Sequence, residues 1–591
     1  MFVRYPEGIG ARIAEHPRVE GQTVSGVNRR TMIKSAAGAF MTYGAARKPS
    51  AAQTAPSMTL SPHRPLDFRP FADALARITP EHRCALDAFA LEATAPQLQA
   101  DFNAGRYSAT ELTAYYIDRI QRLDAIQLRS VIELNPDALE IAAQLDSERS
   151  QGRARGPLHG VPILLKDNIS TGDRLHTTAG AAALSGARGD RDAHLVTGLR
   201  EAGAIILGKT NLSEWAYWMS YTAPSGFSAL GGQVVSPYGA GIDPFGSSTG
   251  SAVAVTMNLA AITVGTETAG SIVAPSARAS VVGMRPSLGL VSRDRVVPIS
   301  EECDTAGPIG RTVTDVAAAL TAMTHERDIR DRHSARMEGV HGTDFMHVLD
   351  PDALRGKRIG LIGIELTGPV DDEWIIANSG FTGAVRAMES VGARVVVIRP
   401  APFAFEGPGF VPEFNWGLRQ GVNAYLAATD APVRSLADVI AFNDENLGRY
   451  APWGQDRLRD CLWSPLGEQE VRLISRANRQ QARDYLNNLL DADDLDVLAG
   501  IDTLQSLIYP FAGFPAIAVP AGIYPGGAPF SVTFIGRPRR DADLIGMAYA
   551  YEQASRFRVP PSVPDAGTRC PPASQGRRSG GSRWTWGPSA S

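Results

Sequence analysis

The chain predicts an α/β fold, a sandwich of helices around a mainly parallel or mixed β-sheet, and two observations carry that prediction. Helical and strand periodicities alternate along most of the length, and no Pro/Ser-rich linker or internal repeat interrupts residues 92 to 558. With 44% hydrophobic residues the sequence has ample material for one large core. From the N-terminal side, Ser108-Ala109-Thr110-Glu111 is a capping box that opens a helix with Leu112, Tyr116, Ile120 and Leu123 on one face. Val161-Pro162-Ile163-Leu164-Leu165 reads as an interior strand that runs into Lys166. A helix is predicted around Ala193 to Ala202, with a strand from Ala204 to Leu207 after it. Ala252 to Met257 is an apolar helical run packed against Ala261-Ile262-Thr263-Val264. The alternation continues with a strand from Lys357 to Ile364, a helix near Trp374 to Val391 and a strand from Arg394 to Ile398. Ser531 to Gly536 is a strand, and Asp541 is expected to cap a final helix bearing Leu544, Ala548 and Tyr551.

Three segments carry chemistry. Gly246-Ser247-Ser248-Thr249-Gly250-Ser251 is followed by Gly265-Thr266-Glu267-Thr268-Ala269-Gly270-Ser271-Ile272, and Lys166 lies in His159-Gly160-Val161-Pro162-Ile163-Leu164-Leu165-Lys166-Asp167-Asn168. A serine hydroxyl needs a neighbouring base to become a nucleophile, and a lysine can serve only when uncharged. Burial lowers a lysine pKa, and Lys166, where an apolar strand meets a polar turn, is half desolvated by position. Together the three segments supply a nucleophile and a base without histidine. Ala269-Gly270 places minimal side chains before Ser271, which lets main-chain amides converge on a developing oxyanion.

These segments resemble the amidase signature family, and the resemblance runs from about Glu92 to about Arg558. In that family a lysine, a serine held by a cis peptide bond and a second serine form the catalytic triad. Matched motif to motif, these are Lys166, Ser247 and Ser271 here, with Gly246 and Ser248 as supporting residues. The resemblance implies that Ser271 attacks the amide carbonyl, Ser247 relays its proton, and Lys166 accepts that proton and returns it to the leaving amine. It also implies an oxyanion hole built from the N–H groups of Thr268, Ala269, Gly270 and Ser271, and a large twisted mixed sheet covered by helices on both faces. Phe245 and Thr249 replace usual family glycines, Ala269 stands where Gly or Asp is usual, and Val273-Ala274 replace the common Arg and Cys. None of these positions is a proposed triad atom, so they bear on substrate identity more than on the reaction.

Gly265-Thr266-Glu267-Thr268, Ser271-Ile272-Val273, Leu290 to Asp294, Phe442-Asn443 and Gly513 to Pro520 look closer to the bacterial peptide amidase branch than to other branches. The expected activity is therefore hydrolysis of a carboxamide, a small-molecule amide or a short peptide C-terminal amide, with no metal or organic cofactor. Two alternatives stay open: a partner-dependent protein of the amidotransferase A-subunit type, and an ester-preferring hydrolase with the same triad. Gly246-Ser247-Ser248-Thr249-Gly250 also satisfies the Gly-x-Ser-x-Gly elbow of α/β-hydrolases. That fold needs a strand entering the elbow and a histidine near the chain end. Tyr238 to Pro244 is no strand and the last histidine is His347, so the elbow is rejected. Lys209 reads as structural, and His159, in a Pro/Gly turn, as a backbone-bonding residue. Aromatic residues between about 400 and 480, among them Phe403, Phe405, Phe410, Phe414 and Trp416, either line a substrate funnel or fill a helical cap.

A net charge of −4, from 58 basic and 62 acidic residues, argues against nucleic-acid binding through a basic surface. The four cysteines, Cys84, Cys303, Cys461 and Cys570, show neither zinc spacing nor a disulfide framework. No run of apolar residues is long enough for an integral membrane helix. At the N-terminus, Asn28-Arg29-Arg30-Thr31-Met32-Ile33-Lys34 precedes a weakly apolar run from Ser35 to Ala46, which resembles a twin-arginine export signal and predicts a periplasmic protein. The expected organisation is a leader over residues 1–56, a catalytic domain over 57–563, and a disordered Pro/Gly/Ser/Arg-rich tail over 564–591.

Overall fold

Runs of branched apolar residues build a single large sheet. The computed structural model describes residues 64–362, 382–401, 403–503 and 505–562. The expected leader and tail, and residues 363–381 of the predicted strand and helix, lie outside them. The strands are β1 (Val131–Leu134), β2 (Pro162–Lys166), β3 (Ile205–Thr210), β4 (Phe227–Ser228), β5 (Gly232–Gln233), β6 (Ile262–Glu267), β7 (Val282–Arg285), β8 (Thr305–Gly310), β9 (Arg358–Ile362), β10 (Arg394–Ile398), β11 (Val497–Ile501), β12 (Ala516–Ile523) and β13 (Pro529–Ile535). Eleven of them form one mixed sheet in the order β1-β3-β2-β6-β8-β7-β12-β13-β11-β9-β10, and β4 and β5 pair separately. Every residue of β2, β3, β6 and β8 is buried. Strands with no exposed face require cover on both sides, and helices supply it.

Parallel pairing at the centre of the sheet sets where polar groups emerge. β2 lies between β3 and β6 and is parallel to both, so the C-terminal ends of all three reach the same edge of the sheet. In register, Lys166 sits beside Thr210 and Leu165 beside Lys209. Side chains alternate along a strand, so Lys166 and Thr210 share one face while Lys209 takes the other. The helix Thr249–Thr256, buried at every position, packs on β6, β2 and β3.

The capping box at Ser108 and Glu111 forms as read, with both reciprocal bonds present, and opens the helix Ala109–Arg119. The helix His194–Glu201, the strands β9, β10 and β13 and the helix Thr382–Ser390 likewise occupy the expected places within the described residues. One expectation is corrected. Asp541 is not the cap of the last helix: Arg540 holds that position, and the buried Asp541 carboxylate instead accepts from Ser287 N at 2.8 Å and Ser287 Oγ at 2.6 Å. Its chemistry suits a cap, but a long-range partner claims it. Cys303 and Cys461 are free and buried, and Cys570 lies outside the described residues. Among the described residues no helix is long and apolar enough to cross a membrane.

Candidate active site

The three chemistry-bearing segments meet at the edge where β2 and β6 end. Lys166 closes β2 and is fully buried, more than the half-desolvated position its sequence context suggests. Its Nζ lies 2.7 Å from Ser247 Oγ, 3.0 Å from Ser248 Oγ, 2.9 Å from Thr266 Oγ1 and 3.2 Å from Thr266 O. All four neighbours are neutral oxygens. Burial pulls the Lys166 pKa down to about 7, against an upward pull from the carboxylates of Asp304 and Glu267. Near neutrality a large share of this lysine is therefore the free amine, the form a base requires.

Ser247 and Ser248 begin the turn that feeds the helix Thr249–Thr256. The Gly246-Ser247 peptide bond is cis. A Cβ on Gly246 would lie 2.4 Å from Ser213 Oγ, so only glycine fits the approach. Ser248 is tied to β6: its Oγ donates to Thr266 O at 3.0 Å and accepts from Thr266 N at 3.2 Å. Its own N–H donates to Ser271 O at 3.1 Å, which brings the Ser271 backbone against the serine pair.

Ser271 lies in the turn between β6 and the helix Val273–Arg278. Ser247 and Ser248 are wholly buried, while Ser271 keeps 8% of its surface open, so of the three it is the one within reach of a ligand. Among the described residues its Oγ has no protein hydrogen-bond partner, Ser247 included. The turn is held from outside. Glu267 accepts from Ile272 N at 2.8 Å and Val273 N at 3.1 Å, and Thr268 Oγ1 donates to Asp304 Oδ1 at 2.6 Å. Asp304 in turn accepts from Ile299 N and Ser300 N. Gly270 adopts φ +82°, a left-handed conformation that glycine takes without strain. With the turn pinned through these groups, the backbone N–H groups of Thr268, Ala269, Gly270 and Ser271 donate to no protein acceptor among the described residues.

Glu267 is itself buried and faces Arg285 at 3.7 Å, with both side chains fully enclosed. Arg285 also donates to Glu267 O at 3.0 Å and Cys303 O at 2.6 Å. Asn168 joins the same network, its Nδ2 donating to Thr266 Oγ1 at 2.9 Å. The sequence assigned no role to Asn168, Thr266, Glu267, Asp304 or Arg285. The first three stand inside the chemistry-bearing motifs, whereas nothing local marks Asp304 or Arg285.

The residues read as structural are so. Lys209 Nζ donates to Ile169 O at 2.7 Å and Thr177 Oγ1 at 3.0 Å, and His159 Nε2 lies 2.9 Å from Leu145 O. His194, His325 and Glu326 bring possible metal-ligand atoms within 4.8 Å of one another, but none belongs to the Lys166 constellation. Of the aromatics after residue 400, Phe405, Phe410 and Phe414 surround Phe511 with ring centroids 4.8 to 5.6 Å apart, Trp218 sets its edge on Phe414 at 5.1 Å, and Trp416 lines a separate cavity.

The family model for amidases matches residues 111–504. The chain belongs to the amidase signature family. It is 39% identical over 476 residues to a "Probable amidase" of Arabidopsis thaliana, covering 80% of this chain and 91% of that one. The crystal structure of the native peptide amidase from Stenotrophomonas maltophilia superposes with a TM-score of 0.75 at 41% identity, over 80% of this chain and 99% of that one. The A-type subunit of glutamyl-tRNA(Gln) amidotransferase from Heliobacterium modesticaldum is 31% identical over 493 residues, 78% of this chain and 96% of that one. The amidase is thus an amide-hydrolysing enzyme on the large mixed sheet of its family.

In the amidase, replacing Arg285 by Met leaves Glu267 buried without its cation. The expected loss is about 3–5 kcal/mol of stability, seen as a lower midpoint in chemical denaturation. An unchanged midpoint would mean that Glu267 is held adequately by Ile272 and Val273 N–H alone.

Proposed function

We propose that the amidase hydrolyses a carboxamide, a primary amide or the C-terminal amide of a short peptide, through an acyl-Ser271 intermediate with a Ser-Ser-Lys triad. The observation that carries this reading is the buried Lys166 amine, 2.7 Å from Ser247 Oγ and brought to a pKa of about 7 by desolvation. Ser271 Oγ attacks the carbonyl carbon, and its proton passes through Ser247 Oγ to Lys166 Nζ. The carbonyl oxygen becomes an oxyanion and takes hydrogen bonds from the free N–H groups of residues 268 to 271. As the C–N bond breaks, the proton returns from Lys166 through Ser247 to the leaving nitrogen. Water then adds to the acyl-enzyme by the same route and releases the carboxylate. Ser248, stapled to Thr266, holds Lys166 in place and exchanges no proton with substrate.

The likeness to a peptide amidase over almost the whole of that chain supports the peptide amide as substrate class. The likeness to the amidotransferase favours a second reading, ammonia release for a partner protein. Turnover by the purified single chain separates the two. We also propose export through the twin-arginine segment at Arg29-Arg30, which precedes a weakly apolar run from Ser35 to Ala46.

Ser271→Ala is expected to abolish labelling by a fluorophosphonate probe and all turnover. Ser247→Ala and Lys166→Ala should each cost orders of magnitude in kcat/KM, and Ser248→Ala less. Peptide mass spectrometry locates the adduct, and label on Ser248 with Ser271→Ala nearly silent would overturn the assignment. For pH, the active form has neutral Lys166, so kcat/KM should rise as pH increases through about 7 and level off above it. A profile falling across that window would remove Lys166 as the base. For export, fractionation of bacteria expressing the full chain should find it in the periplasm, and an Arg29→Lys, Arg30→Lys variant should stay in the cytoplasm. Equal partition of both would sink the export proposal.

A further inference from the structure

A polar cavity of about 270 Å³ opens where the helices Val411–Ala427 and Glu468–Ala492 meet the short turn Arg332–Met337. Neither Lys166, Ser247 nor Ser271 lines it. Five arginines face three glutamates around its wall, an excess of two positive charges. Part of that charge is absorbed internally: Arg332 pairs with Glu301 and Glu302, Arg479 with Glu302, and Arg472 with Glu468. Arg336 and Arg476 also line the wall, and neither has a carboxylate partner among the described residues. The same wall holds an unusual group. The His333 ring is almost wholly buried, lines the same cavity, and has no hydrogen-bond partner on either nitrogen. The Glu302 carboxylate lies 3.8 Å from Nε2, beyond hydrogen-bond reach. A buried imidazole with both nitrogens idle is costly unless a ligand completes it.

We propose that this cavity is a binding site for a small oxyanion, a carboxylate- or phosphate-bearing group, held by the guanidinium groups of Arg336 and Arg476 with the His333 ring as a further donor. Guanidinium forks match the planar pair of oxygens on such groups, and Arg336 and Arg476 are both exposed and so open to a ligand. The surrounding electrostatics point the same way. Burial, with Arg332 and Arg293 nearby, holds the Arg336 pKa below its usual value. An anion would relieve that crowding of like charges. On the acidic side of the cavity Glu413 accepts from Ser300 Oγ at 2.7 Å through Oε1, its Oε2 is buried without a partner, and burial raises its pKa, which favours the uncharged acid.

Calorimetric titration of the full-length enzyme with citrate and with inorganic phosphate, at matched ionic strength, tests the site. The R336Q/R476Q double variant is compared with R355Q, an exposed arginine elsewhere, as control. Expected is saturable binding of at least one probe, weakened by about tenfold or more in R336Q/R476Q and unchanged in R355Q. No saturable binding of either probe, or equal binding by R336Q/R476Q, overturns the site. Because the readout is binding rather than turnover, it stands or falls separately from the Ser-Ser-Lys reading. Peptide amides with a Glu or a Gln then identify the source of the anion. A KM rise in R336Q/R476Q confined to the Glu substrate assigns the pocket to the substrate's own carboxylate, and equal KM values assign it to a free anion.

Discussion

Everything at this site depends on keeping one lysine out of water with no carboxylate in contact. An ammonium transferred into a protein interior loses several kcal/mol of solvation, and an ion pair would restore it as a permanent cation. Lys166 has only hydroxyls and a carbonyl around it, so it meets the cost by giving up its proton more easily. Asp304 and Glu267 are close enough to hold the pKa up and too far to form a pair. Had either touched Nζ, the amine would stay charged at neutral pH and could take no proton.

That arrangement uses the sheet as a positioning device. β2 and β6 run parallel side by side, so Lys166 and Thr266 emerge together at one edge, and the serine turn drops onto them at the start of the helix Thr249–Thr256. A second lysine stands one strand away and equally buried. Lys209 nevertheless faces the other side, where Ile169 O and Thr177 Oγ1 occupy it and burial lowers its pKa against the upward pull of Asp167. Register separates the two: a one-residue slip of β3 against β2 would turn Lys209 onto the face of Lys166.

The Ser271 turn is rigid for a different reason. Its own residues are small, and its shape is imposed by Glu267, which accepts from Ile272 N and Val273 N, by Asp304, which accepts from the Thr268 hydroxyl, and by Arg285, which donates to Glu267 O. Support of this kind leaves the upper N–H groups unspent. A turn that satisfied its own amides would have no donors to offer a developing oxyanion.

Much of this was legible in the sequence. The alternation of periods predicted the α/β class, the capping box at Ser108 and Glu111 formed as read, and the motifs around Lys166, Ser247 and Ser271 converge at one edge of the sheet. These are local signals, written in residue type and spacing, and local physics suffices to read them. Other features needed the tertiary structure. Asp541 has the chemistry of a cap and is claimed by Ser287, far away in the chain. Of the aromatics after residue 400, Phe405, Phe410 and Phe414 pack around Phe511 and Trp416 lines a cavity, a division that no local spacing marks. Arg285 and Asp304 carry no mark in their own neighbourhoods. Burial and pairing are properties of where distant segments meet, so the sequence by itself determined which groups could do chemistry, and only the folded sheet decided which of them lost water, gained partners or were left free.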